Sequence, residues 1–143
     1  MNPLLTTTDA LVSLAAAIKA WGRELGFQHI GIADPDLNDA EARLLEWLAA
    51  GFHGAMSYMA HHGVKRSRPA VLVPGTVRVI TARLDYLPPD AAAPWSVLSQ
   101  PELAYISRYA LGRDYHKVLR QRLQRLADRI TAAIGPFGYR VFT

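Results

Sequence analysis

Between residues 107 and 117 the chain reads Ser-Arg-Tyr-Ala-Leu-Gly-Arg-Asp-Tyr-His-Lys, which sets two tyrosines, two arginines, an aspartate, a histidine and a lysine around Gly112. Arginines hold phosphates and other anions, and a histidine can donate a proton near neutral pH. Glycine permits a backbone turn that other residues resist, so the side chains on either side of Gly112 can converge. Asp114 falls where a helix N-cap would sit. A purely structural reading therefore stands beside the chemical one. In it Asp114 caps a helix, Tyr115 and His116 fill its first turn, and the arginines are solvated.

The whole chain bounds what this cluster can do. Its 143 residues suffice for one domain with a hydrophobic core, and half of them are apolar. Cysteine is absent, which removes disulfides, thiolate metal sites, iron–sulfur ligation and a cysteine nucleophile from this chain. No apolar run approaches the roughly 18 residues of a membrane span, and no basic leader precedes a long apolar stretch, so a cytoplasmic protein without a membrane partner is expected. The net charge of +4 is unevenly distributed: residues 1–103 carry 8 Lys and Arg against 10 Asp and Glu, whereas residues 104–143 carry 8 against 2. The basic segment thus coincides with the motif and the helical pattern behind it. It suits a polyanion such as RNA, the phosphates of a cofactor, or simply a solubilising helix face.

The motif must be held by the elements around it. Behind it, Leu119, Leu123, Leu126, Ile130 and Ile134 recur at helical spacing over 117–134, with Arg122, Arg125 and Arg129 on another face, and Gly135-Pro136 ends the pattern. A first amphipathic helix is expected over 9–25 from Leu11, Leu14, Ile18, Trp21 and Leu25, with Thr8 or Asp9 as its cap and Gly26 as its stop. Alternation over 27–33 predicts a strand ending at Asp34-Pro35. Asn38 and Glu41 resemble a capping box before a second helix that carries Leu44, Leu45, Trp47 and Leu48 and stops at Gly51. The β-branched run from Val77 to Leu84 predicts a buried strand, 88–94 a turn-rich excursion, and Gly138–Thr143 the start of another strand. Together these predict an α+β fold, a small mixed sheet flanked by about four helices. A chain ending inside a strand is expected to leave that strand unpaired or shared in self-association.

Lesser candidates lie between. Lys65-Arg66-Ser67-Arg68-Pro69 is a second possible anion contact or a solvated connection. Phe52, Met56, Tyr58 and Met59 form either a soft apolar surface for a flat cofactor or neighbouring domain, or plain core. His29 reads as a surface strand residue, and His61 and His62, adjacent on a helix, point about 100° apart and are poorly placed to chelate one ion. No metal site is expected.

The order Trp21-Gly22, Gly26-Phe27, Gly31-Ile32, Trp47-Leu48, His53-Gly-Ala-Met-Ser-Tyr-Met59, Arg68-Pro69, Pro74-Gly75, Ser107-Arg-Tyr-Ala110 and Gly112-Arg-Asp-Tyr-His116 closely resembles the N-terminal region of the epoxyqueuosine reductase family. The resemblance covers essentially the whole chain. It implies a cobalamin-dependent oxidoreductase of queuosine synthesis that removes the epoxide oxygen of epoxyqueuosine in the anticodon region of tRNA, fed by [4Fe-4S] clusters. By fold analogy it also implies part of a nitroreductase-like cobalamin-binding domain. The family's cysteine-rich and C-terminal helical-repeat regions have no counterpart here, and neither does an acidic proton donor expected just beyond Thr143. Residues 1–143 are therefore expected to be an apparently truncated N-terminal domain, inactive alone and holding no cluster.

Epoxide reduction produces an oxyanion that a tyrosine, histidine or arginine can stabilise or protonate. With the resemblance, Tyr115 and His116 become the candidate catalytic residues. Arg108, Tyr109, Arg113 and Asp114 become cofactor contacts, Asp114 as cap and orienter, and Lys65, Arg66, Arg122, Arg125 and Arg129 become RNA contacts. The competing reading is a non-catalytic α+β module that binds RNA or another anion through the basic 108–129 segment.

Overall fold

In the computed structural model, which describes residues 7–87 and 90–143, the chain is α+β, as the patterning predicts. Helix α1 spans Thr8–Glu24, strand β1 His29–Ala33, helix α2 Asn38–Ala49, and the short helices α3 and α4 Tyr58–His61 and Pro69–Leu72. Strand β2 runs Val79–Arg83, followed by α5 at Pro94–Leu98 and the long α6 at Tyr115–Ile134. Short 3-10 turns occupy Gly63–Arg66 and Arg108–Ala110. The sheet is smaller than expected, two strands ordered β1-β2. They run antiparallel, since Gln28 meets Arg83 and Asp85 at one end while Asp34 meets Arg78 at the other.

The chain divides into two compact units. The first contains the residues up to Ile30 together with Ala82–Pro136 and Val141–Thr143; the second contains Gly31–Thr81 and Phe137–Arg140. In the first unit α1 packs on α6, and Ile18, Phe27, Ile30, Leu126, Ala127 and Ile130 are buried. Phe27 and Leu126 are the most deeply enclosed, at 2% exposure each. The apolar stripe read for α6 is therefore the one that builds this core. The stripe read for α1 is only partly buried, with Leu11 exposed and Ile18 enclosed, because α6 covers only part of that helix.

Helix ends depart from the sequence reading in detail. The cap of α1 is Thr7, whose hydroxyl accepts from the Ala10 N–H at 3.3 Å, and neither Thr8 nor Asp9. At the other end Gly26, at φ +85°, lets the Phe27 N–H reach the Gly22 carbonyl and its own N–H reach Arg23, a double closure that needs a left-handed residue. The capping box expected at Asn38 and Glu41 does not form. Asn38 is already the first helical residue, its N–H bonds Asp36 Oδ1 at 3.1 Å, and the Glu41 carboxylate turns to a tertiary partner.

The strand expected from Gly138 to Thr143 does not form either: these residues carry no regular secondary structure. Phe137 and Tyr139 instead place their rings 5.1 Å apart. A strand needs a neighbour to take up its backbone hydrogen bonds, and β-type residues alone do not provide one. Of the expected turn-rich excursion, Pro88 and Pro89 lie outside the described residues.

Candidate functional site

The motif forms the N-terminal approach to α6. Gly112 turns the chain at φ +80°, and Asp114 then caps the helix, its Oδ1 accepting the His116 N–H at 2.9 Å. The same carboxylate lies 3.3 Å from His116 Nδ1. Partial burial disfavours ionisation of Asp114, but the His116 N–H, the imidazole and the Lys117 N–H outweigh it and hold the carboxyl below its ordinary range. A carboxylate at Nδ1 orients the ring and leaves Nε2 for an outside partner, the arrangement by which an imidazole is poised to transfer a proton.

Three rings gather at this end of the helix. Tyr115 stacks on His116 with centroids 4.0 Å apart at 28°, and Tyr109 meets Tyr115 edge-on at 6.0 Å. All three are substantially exposed: Tyr109 at 55%, Tyr115 at 38%, and the His116 side chain at 56%. The structure thus brings Tyr109, Asp114, Tyr115 and His116 into one contiguous group, as the convergence around Gly112 predicts. The structural reading is met in one part, since Asp114 caps the helix, and not in another, since Arg108 Nε is buried and not solvated.

Arg108 lies to one side. It borders a cavity of about 170 Å³ whose other walls include Ala91, Val97, Ala104, Ile106 and Leu111, and its Nε is buried with no hydrogen-bond partner among the described residues. A buried guanidinium nitrogen without an acceptor is costly, so the cavity is a place where an acceptor group of a ligand would be welcome. Arg113 is exposed on the loop ahead of the cap.

The arginines of α6 do not form one free basic face. Arg122 donates to the Gly26 carbonyl at 3.3 Å, and Arg129 is ion-paired with Glu24, so both are tied to the C-terminal end of α1. Guanidinium groups suit that position because the last carbonyls of a helix carry partial negative charge. Arg125 alone of the three is exposed. Lys117 and Arg120, which the sequence reading included in the basic 108–129 segment without singling them out, are exposed too and make no ion pair among the described residues. Helical spacing was the signal that could have found them, since they follow His116 by one and four positions.

The second unit holds a polar centre that sequence reasoning did not see. Glu41 is 9% exposed and accepts Ser67 Oγ at 2.6 Å, Arg68 Nε at 2.9 Å and Arg68 Nη2 at 2.6 Å. The Arg68 hydrogen bonds, helped by Ser67, hold the Glu41 carboxyl down at about 2, and the carboxylate in turn raises Arg68. Arg68 lies beside a cleft of about 250 Å³ with Asp34, Asp36 and Asn38. Arg66, proposed from sequence as an anion contact, spends its guanidinium on the carbonyls of Tyr58 at 2.8 Å and Met59 at 3.1 Å, while Lys65 is exposed. Phe52, Met56 and Tyr58 are exposed at 71%, 43% and 58%, so they form surface here and not core. His61 and His62 meet edge-on at 5.1 Å, and the described residues contain no cluster of three metal-ligating side chains. No helix among them is long and apolar enough to cross a membrane.

Comparison with known proteins places these residues in context. The sequence profile of the family "Epoxyqueuosine reductase QueG, DUF1730" matches residues 66–143, which include the whole motif and α6. The chain is 64% identical over 129 residues to an epoxyqueuosine reductase of Pseudomonas aeruginosa, covering 90% of this chain and 36% of that protein. Proteins of the same name from Alicycliphilus denitrificans and Vibrio cholerae are 59% and 56% identical, covering 91% and 90% of this chain and 38% and 35% of theirs. The chain therefore spans little more than a third of the length of the curated relatives it matches. No solved structure matches it.

Proposed function

The chain belongs to the epoxyqueuosine reductase QueG family, and on that premise we propose that it is the N-terminal segment of a cobalamin-dependent, iron–sulfur reductase that converts epoxyqueuosine to queuosine in the anticodon region of tRNA, in the cytoplasm. The observation that carries the reading is the 64% identity to a protein of that name across nine-tenths of this chain, motif included.

The residues present are compatible with part of a cobalamin site. Arg108 Nε needs an acceptor, and the cavity beside it, about 170 Å³, has room for a peripheral amide or phosphate of the cofactor though not for its macrocycle. Arg108 and Arg113 are the anion contacts in this reading, and Tyr109 offers a flat ring. Cobalamin, when bound, supplies the reducing chemistry that opens the epoxide. With no cysteine, these 143 residues offer no thiolate to a [4Fe-4S] cluster, so the clusters of the reading are held elsewhere.

The part assigned to this chain is charge and proton control. Asp114 orients the imidazole through Nδ1, His116 Nε2 delivers a proton to the alkoxide released when the epoxide opens, and the Tyr115 hydroxyl donates a hydrogen bond to the same oxygen. Arg125 and Lys65, both exposed, remain candidates for RNA phosphates.

The test is a chimera in which this chain replaces the matching segment of the Pseudomonas aeruginosa reductase. It is expected to reduce epoxyqueuosine in tRNA. His116→Ala should slow single-turnover reduction by about 10²–10⁴-fold while leaving tRNA affinity nearly constant. An inactive but folded chimera would overturn the reading of the chain, and full single-turnover activity in the variant would overturn the assignment of His116.

A further inference from the structure

We propose that Tyr58 and Arg66 form a stacking site for one unpaired nucleotide of RNA, its base lying on the exposed Tyr58 ring and its phosphate meeting Arg66 Nη1, with Lys65 as the neighbouring charge in the same turn. The inference deepens the reading above, on which it rests for the choice of RNA. It gives a task to the exposed Met56–Tyr58 surface, which that reading leaves idle.

Here a cation stands directly beside a ring. Arg66 Cζ lies over the Tyr58 ring at 5.9 Å from its centroid, within the reach of a cation–π contact, and the Tyr58 hydroxyl donates to Met56 Sδ at 3.5 Å. Tyr58 is nevertheless 58% exposed, so ring surface is left for a further flat group. Arg66 is held in place by its Nε bond to the Met59 carbonyl at 3.1 Å and its Nη2 bond to the Tyr58 carbonyl at 2.8 Å, which leave Nη1 without an acceptor among the described residues. A ring and a guanidinium fixed in this way lose little freedom when a ligand arrives.

The charge at this site is not cancelled. Residues 47–84 contain five Lys and Arg and no Asp or Glu. Three of the five are ion-paired, Arg68 with Glu41, Arg78 with Asp34 and Arg83 with Asp85, whereas Lys65 and Arg66, together in the turn Gly63–Arg66, have no carboxylate partner among the described residues. An exposed ring with an unneutralised cation beside it is the chemistry that holds single-stranded RNA, because the base stacks while the phosphate meets the charge. A duplex keeps its bases stacked on one another and offers the ring nothing. A free cofactor would seek enclosure over most of its surface, and neither cavity described above is lined by Tyr58 or Arg66. One nucleotide of a strand draws its remaining contacts from elsewhere along the strand and needs no enclosure here.

The test measures, by fluorescence anisotropy across a salt series, the affinity of the 143-residue chain for a fluorescein-labelled single-stranded RNA of about ten nucleotides and for a duplex of the same length. Tyr58→Leu should weaken single-strand binding about 5- to 100-fold and duplex binding little, while Tyr58→Phe, which keeps the ring, should bind within about 2-fold of the parent. Tyr86→Leu, at a ring 64% exposed with no guanidinium over it, should leave both affinities unchanged. Each phosphate contact on a single strand accounts for about a 3-fold fall in affinity between about 50 and about 200 mM salt, so Lys65→Gln and Arg66→Gln should each shrink the fall by about that factor. The inference is overturned by absence of binding at low salt, the result expected if a protein surface covers Tyr58 instead. It is equally overturned by equal losses in Tyr58→Phe and Tyr58→Leu, by equal losses for both RNAs in Tyr58→Leu, by a Tyr86→Leu loss that matches Tyr58→Leu, or by a salt dependence unaltered in both charge variants. These outcomes are separable from the reductase reading. A chimera active on epoxyqueuosine whose RNA affinity ignores Tyr58→Leu sinks the inference alone, and single-strand binding through Tyr58 in an inactive chimera sinks only the reading of function.

Discussion

Gly22 is the position at which a single methyl group should do the most damage for its size. It is buried in the last turns of α1, where that helix passes the start of β1. A Cβ added there would lie 2.6 Å from Ile30 Cδ1 and closer still to Cγ1. In an exposed helix, glycine to alanine is worth about 1 kcal/mol of added stability, because alanine loses less backbone entropy. Here the clash runs the other way. Ile30 is 5% exposed, and a β-branched side chain enclosed on all sides has no alternative rotamer to move into. Overpacking of this kind costs about 1–3 kcal/mol even after the chain adjusts, and contact well inside van der Waals range argues for the upper end.

Gly22→Ala is therefore expected to destabilise by about 1–2 kcal/mol net, a fall in melting temperature of about 4 °C per kcal/mol for a chain of this length. Thermal unfolding followed by far-ultraviolet circular dichroism would measure it. Ile30→Ala, which removes the opposing atoms, should make the same glycine substitution nearly free, so the two changes should be non-additive by about 1 kcal/mol or more. A Gly22→Ala protein as stable as the parent, or more so, would refute the argument. So would strict additivity with Ile30→Ala.

Other contacts carry expectations of their own. Leu126→Ala, at the centre of the α1–α6 core, should cost about 2–5 kcal/mol in chemical denaturation, whereas the exposed Leu11→Ala should cost far less. The Glu41 carboxyl, held at about 2 against an ordinary 4.5, contributes stability that is fully present above pH 4.5 and is lost as the pH falls from there toward 2. Glu41→Gln should flatten the stability profile over that interval, as read from urea midpoints, and leave its slope above pH 6 unchanged. Gly26→Ala should destabilise the chain, because its φ of +85° strains any other residue and its Cβ would lie 2.8 Å from Arg122 Nη1. The same thermal scan would report it, and an unchanged midpoint would contradict it.

The long helices were legible in the sequence because their signal is local. Leu119, Leu123, Leu126 and Ile130 recur with the period of the helix they form, Asp114 sits where an N-cap must, and a hydrogen bond to a residue two positions on needs nothing from the rest of the chain. The grouping of Tyr109, Asp114, Tyr115 and His116 was readable for the same reason.

What local pattern could not supply was the partner of each charged side chain. Glu41 looked like half of a capping box and became the partner of an arginine 27 residues away. Arg122 and Arg129 looked like a free face and are bound to groups 96 and 105 residues distant. Residues 138–143 have strand-like composition but form no regular secondary structure. The sequence by itself determined where the long helices run and that the motif leads into α6. Only tertiary structure decided which cations remain available, because an ion pair depends on distance in space, and helical periodicity says only which way a side chain sets out.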